Sequence, residues 1–388
     1  MSRKGAPPHR LLFIAPDAAF FVSHRLNLAA AAVKQGYRVA VACPPGPAVA
    51  DIIGAGSEHI PFSVMRRSTN AFREMGTILA MGRAIRSFGP DLVHLITSKP
   101  ILYGGAWCRL LGIPSVSAVS GLGYLFVTSS VHARILRRLV KAGYRLALNG
   151  PKSYVIFQNK DDLALFRSSG IVIHDRVSLI PGSGTDLTVF QQTRLPPGRT
   201  VVALPARMIG DKGVREFIEA ARILRSNGVD ASFQLIGDPD PGNPTTLTEA
   251  ELRSYVAEGL VEWQPHTADI AGALAKAHIV ALPSYREGFP KTLIDAAAAG
   301  RASVTTDVPG CRDAIIEGKT GLLCRARDGV DLAKVLRPLI EDRELQQRMG
   351  AAARQHAETS FDIDSVTVDH LKLYDAAIRS AGGTSPVP

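Results

Sequence analysis

Short runs rich in Val, Ile, Leu and Ala alternate with helical patterns along nearly the whole chain, and the alternation restarts once. Strands so uniformly apolar must be covered on both faces, which calls for parallel sheets with helical crossovers. In the first half strands are expected at RLLFIA, RVAVAC, LVHLI, SVSAVS and SYVIFQ, with helices near 24–35, 71–88, 101–111, 131–147 and 160–168. The second half begins at TVVALPA. A helix at 213–227, ASFQLIG, a helix near 248–258, VEW, HIVALP, the helix ending YREGFPKTLIDAAAAG, and ASVTT follow. Between the halves, SLIPGSGTDLTVFQQTRLPPGRT is dense in Gly and Pro and lacks periodicity, as a joint should. The 388 residues therefore suit two α/β domains of about 180 residues each. They are an N-terminal domain over 1–185 and a C-terminal one over 186–365. Residues 366–388 are expected to form a helix packing back on the N-terminal domain, with a flexible tail. Each domain is doubly wound, and such sheets take ligands beyond the carboxyl ends of their strands.

No apolar run reaches the roughly 18 residues needed to span a bilayer. Basic residues precede LLFIA, but Pro16 and Asp17 cut that run too short for a signal peptide, so a cytosolic location is expected. Cys43, Cys108, Cys311 and Cys324 are scattered without a close pair and are read as reduced thiols; no metal is expected.

The net charge of +10 is lopsided: residues 1–185 carry 22 Lys/Arg against 8 Asp/Glu, and no acid lies between Asp91 and Asp161. Such a field suits a nucleic acid, an anionic membrane or a phosphorylated substrate, or simply a solubilising cationic face.

In the second half, RMIGDKG puts Arg207 at a strand end and Lys212 just before a helix. A guanidinium fork and a point charge at that spacing can meet one diphosphate, although solvated side chains would fit the same letters. The stretch YREGFPKTLIDAAAAG adds to this. Gly288 lets a backbone approach a ligand, Pro290 suits the first turn of the following helix, and the open amides there attract an anion. Glu287 would repel phosphate and is better placed to accept from sugar hydroxyls; Asp295 could do so for a ribose diol. An acidic first turn of a helix would account for one of these acids, but not for a Glu before the Gly-Phe-Pro turn. GDPDPGN contains Asp238-x-Asp240, the letters of a metal motif, and is read as a turn.

Glu287-x7-Asp295, Arg207-x4-Lys212, IPGSGTD at the joint and TTDVPGCRD after the next strand resemble the retaining nucleotide-sugar glycosyltransferases of family four. The resemblance spans nearly the whole chain and is densest over 180–325. It implies the GT-B fold, two facing Rossmann-like doubly wound domains with an interdomain cleft. By that resemblance Arg207 and Lys212 neutralise the leaving diphosphate and Glu287 orients the donor sugar. Asp295 binds the ribose, and amides around Gly288, Phe289 and Pro290 support sugar and phosphate. No cofactor or metal is implied beyond the nucleotide sugar itself. The second acid is Asp, where Glu is commoner, which loosens the ribose contact.

The loop after the first strand, APDAAFFVSHRLN, has no glycine where related enzymes are glycine-rich. His24 and Arg25 are placed where the next helix begins, either binding an acceptor phosphate or hydroxyl or capping and packing. SAVSGLGYLF offers Ser120, Gly121 and Tyr124 where many relatives have a histidine. With HLITSKPILYGG, which places His94, Ser98 and Lys99 at another strand end, it looks like a subgroup adding sugars to polyprenyl-diphosphate-linked acceptors in bacterial glycan assembly. That subgroup implies a UDP donor carrying an N-acetylhexosamine or hexose, and the family implies retention by a same-face mechanism.

Helix 131–147 carries Arg134, Arg137, Arg138, Lys141 and Arg145 on one arc, beside an apolar face of Ile135, Leu139, Ala142 and Leu146. It suits an anionic membrane surface, or an ordinary helix with its Arg face in solvent. The expectation is thus a glycosyltransferase peripheral on the inner face of the cytoplasmic membrane. An epimerase or glycan phosphorylase of the same fold, or a non-catalytic nucleotide-sugar binder, are the alternatives. A nucleic-acid partner is not expected, since no aromatic-interleaved basic platform is present.

Overall fold

The computed structural model describes residues 8–62, 71–120 and 131–381. Two compact units emerge, Met1–Ser183 with Val366–Pro388, and Gly184–Ser365.

The N-terminal unit runs β1 (Arg10–Ile14), α1 (Ala18–Lys34), β2 (Arg38–Cys43), α2 (Val49–Gly54), β3 (Glu58–Pro61), α3 (Ala71–Phe88) and β4 (Leu92–Ile96). A π-helical turn at Pro100–Gly104 leads into α4 (Gly105–Leu111), then β5 (Ser115–Val119), α5 (Val131–Leu148), β6 (Ser153–Phe157), α6 (Lys160–Ser168) and β7 (Val177–Leu179). Its seven strands pair in parallel in the order β3-β2-β1-β4-β5-β6-β7. The second unit has β8 (Thr200–Pro205), α7 (Val214–Ser226), β9 (Ala231–Ile236), α8 (Glu249–Ala257), β10 (Glu262–Gln264), α9 (Ile270–Ala275) and β11 (Ile279–Leu282). Then come α10 (Lys291–Ala298), β12 (Ala302–Thr306), β13 (Gly321–Cys324), α11 (Gly329–Glu341) and α12 (Arg343–Ser360), with six parallel strands ordered β10-β9-β8-β11-β12-β13. Of α13 (Ile363–Ala381), all but the first three residues belong to the N-terminal unit. Both sheets have the Rossmann-like order, with the chain reversing direction across β1/β4 and across β8/β11.

The central strands are buried on both faces, as their unbroken apolar runs require: Leu11 to Ile14 and Ile279 to Val280 are wholly inaccessible. The strands missed in the sequence, β3, β7 and β13, have three or four residues each, too few for a period to register.

Helix α1 starts six residues earlier than the sequence pattern placed it. Asp17 caps it, accepting from the Phe20 N–H at 2.6 Å, so His24 and Arg25 lie well inside the helix and not at its mouth. Arg25 turns into the core, 4% exposed, and its Nη1 donates to the carbonyls of His24 and Gly182. His94 is likewise not at a strand end. It sits in the middle of β4, fully buried, with Nδ1 2.5 Å from the Tyr374 hydroxyl and its ring stacked on His370. His94 is a core histidine, because α13 covers that face of the sheet.

Burial, with Arg25 close by, keeps both imidazoles neutral. His370 is pushed down to about 3 and His94 well below its ordinary value. Unfolded histidines titrate near 6.5, so below about pH 6.5 the unfolded chain binds the extra protons. Their contribution is complete above that pH and is lost as pH falls toward 3. A slope of up to about 1.4 kcal/mol per pH unit per histidine is expected. Urea midpoints at about pH 7.5 and about pH 5.5 measure it, and His370→Gln should flatten the difference. Equal midpoints in the parent protein would contradict the neutral, buried assignment.

Candidate active site

In the C-terminal unit the two strands flanking the reversal point, β8 and β11, send their carboxyl-end loops toward each other. The β8 loop carries Arg207 and closes with a 3₁₀ turn at Gly210–Lys212; the β11 loop is 283–290. Backbone bonds join them, the Tyr285 N–H donating to the Asp211 carbonyl at 2.9 Å. Gly213 makes this possible. Its φ is +73°, and a Cβ there would lie 2.1 Å from the Pro283 carbonyl oxygen.

Lys212 and Glu287, 75 residues apart in sequence, meet across this junction, Nζ donating to Oε1. Ser284 Oγ donates to the same oxygen at 2.7 Å. Both side chains are mostly buried, at 21% and 14% exposure. The loop is braced from β12, whose Thr306 hydroxyl donates to the Ser284 carbonyl and whose Thr305 hydroxyl donates to that of Leu282. On its other side, the Gly310 region presses against the Glu287 and Gly288 carbonyls, and the Glu287 N–H donates to Pro309 at 3.3 Å.

Arg207 is more open, 55% exposed, and its Nη1 donates to Asp240 Oδ2 at 2.5 Å. Asp240 belongs to the loop after β9. That loop is zipped to the Arg207 loop by Met208 N–H to Asp238 O, Gly210 N–H to Thr245 O and Leu247 N–H to Met208 O. Asp238, the other acid of the metal-like letters, accepts from the His266 N–H at 2.9 Å.

Pro290 is the N-cap of α10, one residue before the first turn where the sequence placed it, and supplies no side-chain bond to the helix amides. Phe289 packs edge-on to Phe361 at 5.4 Å, so its ring anchors the loop. Asp295 departs most from expectation. It is 5% exposed, accepts from Lys291 Nζ at 2.7 and 2.9 Å and from the Thr185 hydroxyl at 2.8 Å. Burial pushes its pKa up while Lys291 and Thr185 pull it back. Lying one turn beyond the α10 opening, it is buried and holds Lys291.

The structure thus gathers Arg207, Lys212, Glu287, Gly288, Phe289 and Pro290 on two adjoining loops. Ser284 and Lys291 belong to the same stretch as Glu287, Gly310 comes from the loop after β12 and Asp240 from the loop after β9; the sequence reading gave none of the four a site role and took Asp240 as part of a turn. Gly310 lay within a quoted motif; Asp240 carried no usable signal, because its partner is 33 residues away.

On the N-terminal unit, His24 stacks on Phe20 at 4.3 Å with Nδ1 2.6 Å from Ser23 Oγ, a packed helix residue. Lys99, just beyond β4, pairs with Glu74 at 2.7 Å, and Tyr103 donates to the same carboxylate. Thr97 before it has φ +72°, a strained conformation for a β-branched residue that sits at the carboxyl end of β4 beside the reversal point. Ser120 follows β5 and is partly exposed. Gly121 and Tyr124 lie outside the described residues, as does the side chain of Arg134.

Helix α5 packs inward with Tyr144, Ala147 and Leu148. Leu139 and Leu146 point outward, 65% and 51% exposed, as does Leu110 of neighbouring α4 at 72%. Arg138 is exposed; Arg137 and Lys141 are half-buried. Arg145 does not share the common role expected of the arc. It donates to the Ser169 and Gly170 carbonyls, both at 2.8 Å, and so caps the end of α6. Among the described residues no helix is long and apolar enough to cross a membrane.

Residues 186–356 match the family described as Glycosyl transferases group 1, and residues 10–159 that described as Glycosyl transferase 4-like. Over 385 residues the chain is 26% identical to the N,N'-diacetylbacillosaminyl-diphospho-undecaprenol alpha-1,3-N-acetylgalactosaminyltransferase of Campylobacter jejuni, covering 96% of this chain and 100% of that one. Among solved structures it is similar to the sucrose-phosphate synthase of Thermosynechococcus elongatus, with TM-score 0.78 and 19% identity over 96% of this chain and 100% of that one. Anabaena Alr3699/HepE in complex with UDP-glucose gives TM-score 0.75 and 18% identity over 95% and 99%. These two likenesses are of fold.

Proposed function

Because the chain belongs to the family-four-like glycosyltransferases of GT-B fold, we propose that it moves a hexose or N-acetylhexosamine from a UDP-sugar to a polyprenyl-diphosphate-linked saccharide. The observation that carries this is the junction of Lys212, Arg207 and Glu287 on the two loops flanking the reversal point of the C-terminal sheet. As the glycosidic bond to the donor breaks, negative charge grows on the leaving diphosphate. Cations placed there stabilise that charge more than they stabilise the bound donor. The Glu287 carboxylate, oriented by Ser284, accepts from the sugar hydroxyls. Amides of Gly288 and the start of α10 reach the phosphates, and Lys291, held by Asp295, lends its charge from the same helix opening.

The donor assignment draws on the UDP-glucose bound to a protein of the same fold, and the acceptor on the Campylobacter relative, which matches end to end. The exposed Leu110, Leu139 and Leu146 beside Arg138 favour seating the N-terminal unit on an anionic inner-membrane leaflet, where a lipid-linked acceptor resides. On this reading the acceptor side of that unit lies by Ser120 and the strained Thr97 turn. Retention would follow from a donor phosphate oxygen taking the acceptor proton on the same face.

A panel of UDP-, GDP- and ADP-sugars tests this with a polyprenyl-diphosphate saccharide in anionic vesicles, with EDTA present. The expected result is a lipid-linked product from a UDP-sugar with the anomeric configuration kept. An epimerised donor, or turnover needing inorganic phosphate and no lipid, would replace the proposal with the epimerase or phosphorylase reading.

A further inference from the structure

Arg207 carries an internal partner within the candidate site. Its partner, Asp240, has no part in the proposed reaction, and a carboxylate beside a diphosphate-binding guanidinium opposes the ligand. The surrounding loop keeps it there. The Asp240 N–H donates to Thr246 Oγ1 at 3.0 Å, and the Asn243 N–H donates to the Asp240 carbonyl at 2.9 Å. Asn243 Oδ1 in turn accepts from the Thr245 N–H and hydroxyl, both at 3.0 Å. An antiparallel bridge between Ile209 and Thr246 ties this loop to the one carrying Arg207. The backbone of Asp240 is thus pinned, so an exchange of partners at Arg207 is made by its side chain.

We infer that Asp240 is a displaceable counter-ion for Arg207, a positioning residue that the donor diphosphate pushes aside and that re-pairs with the guanidinium as the nucleoside diphosphate leaves. The inference rests on the diphosphate reading of Arg207. Exposure makes the exchange feasible. With Arg207 55% and Asp240 23% exposed, the pair is screened by water and weak, whereas a diphosphate offers the guanidinium several charged oxygens at once. Lys212 has no such arrangement, because its partner Glu287 is buried with it and held by Ser284. The two cations therefore differ in kind. Lys212 is fixed in the site, and Arg207 is shared between an internal acid and the ligand.

The role fixes a direction that a purely structural one would reverse. If Asp240 merely buttressed the loop, removing its charge would weaken diphosphate binding; as a competing counter-ion, its removal strengthens it. Asp240→Asn preserves shape and the backbone bonds. The experiment is calorimetric titration of the full-length protein with UDP at low and moderate salt, alongside steady-state kinetics. For Asp240→Asn the expected Kd for UDP is lower by about three- to ten-fold, with a steeper salt dependence. KM for the donor falls, and kcat falls with it where product release limits turnover. Asp240→Glu should return both toward the parent values. An unchanged or higher Kd in Asp240→Asn, with Arg207→Ala still weakening UDP, would overturn the counter-ion role and leave the diphosphate reading standing. UDP binding unaffected by Arg207→Ala would overturn both.

Discussion

Lys212→Ala is expected to lower kcat by about a hundred- to a thousand-fold, the range seen when one preorganised charge-stabilising donor is removed from an active site. Two effects add. The ammonium that meets the developing diphosphate charge is gone, and Glu287, 14% exposed and previously paired with it, is left as an uncompensated carboxylate beside the phosphates. KM for the donor should rise as well, since the lone carboxylate repels the ground state. Arg207→Ala should cost less, about ten- to a hundred-fold, because its guanidinium is half in water and already shared with Asp240. Initial rates at saturating donor measure both. A Lys212→Ala enzyme with the parent kcat would remove the basis of the proposed chemistry.

Gly310→Ala should abolish most transfer, by about a hundred-fold or more, without unfolding the unit. At φ +81° an alanine is strained by about 1–2 kcal/mol. Its Cβ would stand 2.5 Å from the Glu287 carbonyl oxygen and 2.7 Å from that of Gly288. Backbone cannot yield as a flexible side chain would, so the Glu287–Gly288 segment must shift, and displacement of a catalytic loop by even an ångström is expensive in rate. The same loop is clamped by the Thr305 and Thr306 hydroxyls from β12, which limits the damage to the site. Rates together with the thermal midpoint test this. Full activity with an unchanged midpoint would mean that the loop position does not govern catalysis.

Strand identities were legible because parallel sheets bury both faces and leave nearly continuous apolar runs; RLLFIA, RVAVAC and HIVALP are such runs in the sequence and contain β1, β2 and β11 of the structure. The junction loops were legible because Arg207, Lys212, Glu287 and Gly288 are few, polar and placed at strand ends. What failed were claims about exposure. His94 looked like a strand-end ligand until α13, more than 260 residues later, laid Tyr374 and His370 over it. Asp295 looked available until Thr185 and Lys291 closed on it, and Arg145 looked like one of five equivalent charges until α6 ended beside it.

Local pattern alone therefore determined that this chain forms two successive parallel sheets, and which loops carry its charged residues, because strand burial and turn chemistry act over a few neighbours. Which of those charges are paired, buried or open was decided only by the tertiary structure. The contacts between Lys212 and Glu287, Arg207 and Asp240, and His94 and Tyr374 join residues 75, 33 and 280 positions apart. No local period encodes such distances. They arise when the sheet order sets β8 between β9 and β11 and when the last helix covers the first sheet.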